Sequence, residues 1–251
     1  MNKLFEYVQI ALFFAFFPAL YAQNSNGVIK YTVATDWRQM METNKSLSQE
    51  SKDRSAYVWG KNSEYKSYAE LKFNTIASRY EKLRDENNER WSRADDHVYI
   101  LYRNREENKM FDYQTFLEKS YGIEDTLVCQ NWKIRNSMKE VAGHICIDAF
   151  YYDSIKEKEV VAWFALDMPI SIGPDIYCGL PGIILEVNEG NGAKVYTATS
   201  LILSEEEIPI SKPECKKKTK MITYSQFKEM IRKQVTDSNK LGRPYFWVID
   251  Y

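Results

Sequence analysis

The chain has 251 residues, of which 34 are lysine or arginine and 35 are aspartate or glutamate, so its formal net charge at pH 7 is −1. A chain without a global positive field lacks the electrostatic attraction on which nucleic-acid binding depends, so nucleic acid is excluded as a principal partner. Aromatic residues make up 14% of the chain, a content that favours β-strands and aromatic cores.

Residues 1–22 have the pattern of a secretory signal peptide. An apolar run over residues 10–20 leads to Ala22, which precedes the expected cleavage point. The run is shorter than the roughly 20 residues that span a bilayer. We therefore expect an exported protein, in the periplasm or at the cell surface, whose mature chain does not span a membrane and forms a single β-rich domain over residues 23–251.

Short runs with strand-like alternation follow one another along the mature chain. They lie at residues 27–33, 68–73, 98–103, 109–115, 127–135, 141–152, 160–166, 183–187 and 193–203. The segment 40–66 is polar and is expected to form exposed connections, and the charged stretch 78–96 is expected to form a surface excursion or a short helix. Turn residues between the runs predict an antiparallel meander with one buried face.

The C-terminal part contains one amphipathic helix. Apolar residues recur at helical spacing over residues 223–239, with Thr223 as the N-cap. The predicted fold class is mainly β, an antiparallel meander that forms an open barrel or half-barrel, with this C-terminal helix packed on the sheet.

Four cysteines in an exported chain indicate disulfides, and four cysteines allow three connectivities. They are Cys129, Cys146, Cys178 and Cys215. Residues 126–135 and 140–152 are expected to pair as a hairpin around a turn at 136–139. That register places Cys129 opposite Cys146, at a separation compatible with a disulfide. We therefore expect Cys129–Cys146 and, by default, Cys178–Cys215.

The segment CGLPGIILEV, residues 178–187, combines a rigid turn with an apolar run. Pro181 fixes φ at one central position of the turn, and Gly182 tolerates a positive φ at the next. The pattern predicts a type II turn followed by a strand that starts at Ile183. This is a structural signature without a nucleophile, a metal cage or a phosphate cradle.

The signature residues carry a family resemblance: they are Gly179, Leu180, Pro181, Gly182, Ile183 and Ile184. The chain resembles the GLPGLI family, exported proteins of bacteria with two membranes whose function is largely unassigned, and the match extends over about residues 130–190. Isoleucine at the fifth position, His144 and Phe164 depart from the family pattern. The resemblance implies an exported envelope protein and transfers no catalytic residues.

The best-matched region contains residues suited to two kinds of chemistry. His144, Cys146 and Asp148 alternate on one strand face and could supply metal ligands, although such spacing is common by chance and a cysteine in a disulfide cannot ligate. A glycan hydrolase would need a carboxylate pair. The carboxylates available there are Asp148, Asp153, Asp167, Asp175 and Glu186. We assign no catalytic residue, no cofactor and no metal site.

The function predicted from the sequence is therefore a non-catalytic binding or accessory protein of the bacterial cell envelope, with an unknown ligand. Its expected partner is an outer-membrane or envelope protein, or an apolar small molecule. Candidate binding-surface residues lie close to the signature: Tyr177, Tyr196, Trp163 and Phe164. Core packing is the alternative for Trp163. The alternative function is an envelope hydrolase that acts on glycans through the carboxylates near the GLPGI segment.

Overall fold

The computed structural model describes residues 26–45, 47–60, 63–83 and 98–241. The predicted signal peptide and His97 lie outside these residues. The strands are β1 (Asn26–Asp36), β2 (Glu64–Phe73), β3 (Ala77–Leu83), β4 (Tyr99–Asn104), β5 (Lys109–Phe116), β6 (Lys119–Thr126), β7 (Lys133–Val141), β8 (His144–Asp153), β9 (Lys158–Ala165), β10 (Ile184–Glu189), β11 (Lys194–Ser204) and β12 (Lys220–Ile222). The helices are α1 (Trp37–Glu42), α2 (Gln49–Trp59) and α3 (Tyr224–Lys240).

All the described strands form one open sheet in the order β12-β6-β5-β4-β3-β2-β1-β11-β10-β9-β8-β7. Two antiparallel meanders, β1 to β6 and β7 to β11, meet where β1 pairs with β11. The short β12 adds to β6 in parallel. The predicted fold class, mainly β with an open antiparallel sheet and a C-terminal helix, is confirmed.

One face of the sheet carries the main core, and we call it the inner face. Ile29, Leu71, Tyr80 and Leu101 are register partners across β1 to β4, and each is at most 2% exposed. The inner face is covered by residues 166–183, which connect β9 to β10 and which we call the plug loop. Because Met168, Ile172, Leu180 and other apolar residues of this loop are buried in the same cluster, the loop is part of the core.

Helix α3 packs over the β5–β6 end of the sheet. Its first turn is capped reciprocally, because the Gln226 N–H donates to Thr223 Oγ1 at 3.2 Å and the Thr223 N–H donates to Gln226 Oε1 at 3.0 Å. Phe227 and Ile231 are fully buried against Phe116 and Ile123. The predicted helix and its N-cap are confirmed. Within the described residues, none of the helices has the length and hydropathy of a membrane span.

A connection after β11 crosses the opposite, outer face. Its Ser211 carbonyl accepts from Arg79 of β3 at 3.3 Å, and Lys212 pairs with Glu124 of β6 at 2.8 Å. Lys212 also lies over the Phe111 ring at 4.2 Å. Phe111 and its neighbour on β5, Asp112, are both buried, since the sheet is covered on both faces at this strand.

Several predicted elements are wrong. The expected excursion at 78–96 begins instead with β3, and its part from residue 84 onward lies outside the described residues. The polar segment 40–66 contains α2. Strand β6 was not predicted. Residues 127–132 alternate but form no strand, and β7 starts only at Lys133.

Candidate functional site

A segment before β7 clamps the plug loop. Cys129 forms a disulfide with Cys178, with a Cα–Cα distance of 5.1 Å. The Gln130 side chain donates to the Ile176 carbonyl at 3.1 Å and accepts from the Cys178 N–H at 3.0 Å. The Trp132 indole donates to the Cys178 carbonyl at 2.7 Å. The alternation in this segment therefore comes from contacts with the plug loop. Side chains of the segment form hydrogen bonds with backbone groups of the loop, and the loop belongs to no strand.

The predicted disulfides, Cys129–Cys146 and Cys178–Cys215, are wrong. The β7–β8 turn lies at Ala142 and Gly143, so Cys146 pairs in register with Lys139 and not with Cys129. Cys146 and Cys215 are free thiols. Burial raises the pKa of the Cys146 thiol to about 11, so this thiol stays protonated at neutral pH.

The signature turn differs from the predicted type II turn. The positive φ belongs to Gly179, at 95°, and Gly182 does not have one. Gly182 is required for another reason, because a Cβ there would lie 2.0 Å from the Ala165 carbonyl oxygen. Ile183 pairs with the chain before the plug loop through the bond from Ala165 N–H to its carbonyl at 2.9 Å, and β10 starts one residue later.

Asp175, at the centre of the plug loop, is bound by two tyrosines from distant strands. The hydroxyls of Tyr99 on β4 and Tyr196 on β11 donate to its two carboxylate oxygens. These strands lie four places apart, about 19 Å in a flat sheet. Side chains that stand off a flat sheet would keep their hydroxyls at a similar separation, so the sheet must curl around the loop. This curl gives the predicted half-barrel.

A second polar cluster surrounds Glu189 at the end of β10. Its carboxylate accepts from the Tyr177 hydroxyl at 2.7 Å, accepts from Lys158, and lies 3.8 Å from Lys156 Nζ. Burial raises the pKa of Glu189, but the charges of Lys156, Lys158 and Lys194 together outweigh it and hold the pKa well below its ordinary value. The cluster keeps an ionised glutamate inside the half-barrel.

The proposed binding-surface residues are mostly core. Tyr177, Tyr196 and Phe164 are 3%, 1% and 1% exposed. Trp163 is partly buried, and the Lys139 ammonium lies 4.4 Å from its ring centroid. Three of the four side chains therefore form no exposed surface. Their aromatic rings belong to the core, whereas Trp163 packs against the core and stays partly exposed.

The carboxylates considered for catalysis are each engaged in local contacts. Asp148 is buried, accepts from the Ser137 N–H at 3.0 Å and pairs with Arg135 at 3.7 Å. Asp167 lies 2.7 Å from His144 Nδ1. Across the described ranges, His, Cys, Asp and Glu side chains form no group of three that could hold a metal ion.

Sequence reasoning missed an exposed apolar patch at the rim of the half-barrel, beside the edge strand β7. Its residues, which we call the rim patch, are Ile134, Met138, Ile145 and Leu166, exposed by 55%, 67%, 57% and 53%. Ile134 and Met138 pair with Ala149 and Ile147, so they share a face with Ile145. The sequence did not indicate this patch, because the hairpin turn was predicted at 136–139 and lies instead at Ala142 and Gly143.

Comparisons with known proteins identify a family and a fold. A family model described as a protein of unknown function, Porph_ging, matches residues 45–186. Two solved structures of PNGF-II, in space groups C2 and P21, match with a TM-score of 0.52 at 15% and 14% identity, and each match covers 84% of this chain. This chain spans 33% and 34% of those two chains. Among curated proteins, none matches.

Proposed function

The chain belongs to the Porph_ging family of proteins of unknown function, and from that premise we propose that it is a non-catalytic binding or accessory protein of the bacterial cell envelope. It recognises an envelope protein through the rim patch. The GLPGII signature, residues 179–184, supports membership of the GLPGLI group and hence export. The disulfide Cys129–Cys178 is typical of proteins in oxidising compartments and supports the same location.

The observation that carries this proposal is the exposure of the rim patch. Four large apolar side chains, each more than half exposed, lie on β7, on β8 and at the start of the plug loop, at one edge of the sheet that the described residues form. A group of exposed apolar side chains at one edge of a sheet is typical of protein contact sites. Apart from groups such as the Ser137 N–H, which bonds to Asp148, the outward backbone groups of β7 pair with no strand of the described residues and add hydrogen-bonding capacity for an extended partner segment.

The interior of the half-barrel is filled, which supports recognition of the partner on the outer surface of the protein. The plug loop occupies the inner face, and a cavity of about 20 Å³ lies between it and strands β3 and β4. That volume holds little more than one water molecule, so an apolar small ligand is disfavoured there. Tyr177 and Tyr196 are buried and contact each other at a ring-centroid distance of 5.9 Å, so these rings are part of the packed interior.

The occurrence of this fold within a longer chain supports an accessory role. The PNGF-II chains are about three times as long as the part that matches. Since the likeness is one of fold alone, nothing of the activity of PNGF-II is transferred. A fold that occurs as one part of a longer chain is consistent with a domain whose role is to bind another protein.

The test is affinity capture of the tagged mature protein from detergent-solubilised envelope, followed by binding measurements with the purified partner. Met138→Lys and Leu166→Lys should each weaken the affinity about tenfold or more, because they place a charge in the apolar contact. Ile202→Lys is the matched control, since Ile202 is 60% exposed on β11, and should bind like the wild type. Equal affinities for all variants, or capture of no partner, would contradict the proposal.

The alternative of a glycan hydrolase makes a different prediction. Hydrolysis of envelope glycans that is lost in Asp167→Asn, with the thermal midpoint unchanged, would favour it over the binding role. Asp167 is suited to this test because its side chain is 55% exposed, so its replacement should leave the fold intact.

A further inference from the structure

The cavity between the plug loop and strands β3 and β4 has a mixed lining, in which the apolar surface exceeds the polar surface. Its polar side chains include Ser78, Tyr80, Arg103, Arg105, Ser171 and Asp175. Ser171 is exposed and marks the side on which the cavity meets the surface. A lining with these groups, at about 20 Å³, suits a small polar occupant.

Two charged groups of the lining have protein partners. Arg103 donates through both terminal nitrogens to Asp112, at 3.3 Å for Nη2–Oδ2. Asp175 accepts from Tyr99 and Tyr196. Their hydrogen-bonding capacity is therefore largely used within the fold.

Arg105 differs from both. Its Nη2 donates to the Asn74 carbonyl, whereas its Nη1 is buried and has no hydrogen-bond partner among the described residues. Among the described carboxylates, none raises the pKa of Arg105 against the effect of its burial. Burial lowers the pKa of Arg105, although an arginine keeps its charge at neutral pH. A buried donor without an acceptor is costly, and an anionic acceptor offsets the cost better than a neutral one.

We propose that this cavity is a binding site for a carboxylate group, held by Arg105 Nη1 with Ser78 and Ser171 beside it. The cavity volume, about that of one water molecule, admits one oxygen of the carboxylate, so the remainder of the ligand stays outside, near Ser171. The carboxylate comes either from a free small acid or from the C-terminus of a peptide. This site is separate from the rim patch and does not depend on the proposed function.

The experiment titrates the protein with acetate and follows the Arg105 side-chain and Ser78 amide signals by nuclear magnetic resonance. Wild type should show saturable shifts, and Arg105→Gln should weaken acetate binding about tenfold or more, because a charge-assisted hydrogen bond is lost. Arg54→Gln is the matched control, since Arg54 lies on the exposed face of α2, and should bind as the wild type does. A parallel titration with chloride to the same ionic strength controls for shifts that are caused by salt alone.

A second variant separates binding from folding. Ser78→Thr adds one methyl group to the lining without a change in charge, and should weaken acetate binding while the far-ultraviolet circular dichroism stays unchanged. N-acetyl-Ala-Ala with a free or an amidated C-terminus distinguishes the two sources of the carboxylate. If the free-acid peptide binds more tightly than acetate, the ligand is the C-terminus of a peptide. If the free-acid peptide binds more weakly than acetate, the ligand is a small acid. Absence of saturable shifts with either carboxylate, or equal affinity in Arg105→Gln, would overturn the assignment.

Discussion

Gly182 lies directly against the main-chain carbonyl oxygen of Ala165, and a Cβ atom on Gly182 would lie 2.0 Å from that oxygen. The contact holds the end of the plug loop against the end of β9. Gly182→Ala should therefore lower the free energy of unfolding by about 3 kcal/mol, because backbone atoms on both sides must move. Denaturant unfolding followed by circular dichroism measures this loss.

A substitution at a second glycine, Gly143, distinguishes the effect of steric crowding from the effect of backbone conformation. Gly143 has a φ of 84°, and nothing would lie within 4 Å of its added Cβ. Gly143→Ala should cost only about 1 kcal/mol, the strain of a left-handed conformation. If Gly143→Ala proves as destabilising as Gly182→Ala, the close approach to Ala165 is not what requires glycine at position 182.

The disulfide Cys129–Cys178 joins residues 49 apart in sequence. In the chain-entropy model, closing a loop of this length stabilises the folded state by about 4 kcal/mol. The double variant Cys129→Ser, Cys178→Ser should therefore show a clearly lower thermal midpoint that no longer responds to reductant. Cys215→Ser, which removes a free thiol, should leave both the midpoint and the response to reductant unchanged. A non-reduced digest that links Cys129 to Cys146 would contradict the structure.

Much of the fold follows from sequence alternation where one face of a strand is buried. In β1, burial alternates as the sequence does, with Ile29 and Val33 inside, and this strand was predicted. In β6, Gly122 and Ile123 are buried on consecutive positions, and the alternation is lost. The charged Asp112 is buried because Arg103 accompanies it, a tertiary pairing that no local pattern contains.

The candidate site was less predictable because distant contacts define it. Gln130 and Trp132 alternate like strand residues, yet they bind the plug loop. Tyr177 lies next to the signature, and its burial depends on Glu189 and on Tyr196 of another strand. Sequence spacing indicated that the GLPGI segment is structural, but the loop that contains it could be placed inside the half-barrel only from the sheet order.

The two tyrosines that bind Asp175 should contribute to stability about equally. Tyr99→Phe or Tyr196→Phe removes one hydrogen bond from a buried carboxylate and should cost about 2 kcal/mol. Tyr68→Phe, at an exposed position, should cost less than about 0.5 kcal/mol. Chemical denaturation of the three variants provides the comparison, and a negligible effect of both buried substitutions would show that these bonds do not hold the plug loop.

The lysines around Glu189 make part of the stability dependent on pH. Because the pKa of Glu189 is lower in the folded state than in the unfolded chain, its contribution is fully present above the ordinary glutamate pKa and is lost as the pH falls toward the folded value. Glu189→Gln should cost about 3 kcal/mol at pH 7, since it leaves buried lysines without their partner, and the difference from wild type should shrink below about pH 4. Glu159→Gln is the control, because the Glu159 side chain is 52% exposed, and should change stability by less than about 0.5 kcal/mol at either pH. Urea unfolding at pH 7 and pH 3 distinguishes the outcomes, and a difference for Glu189→Gln that stays constant with pH would mean that its ionisation does not stabilise the fold.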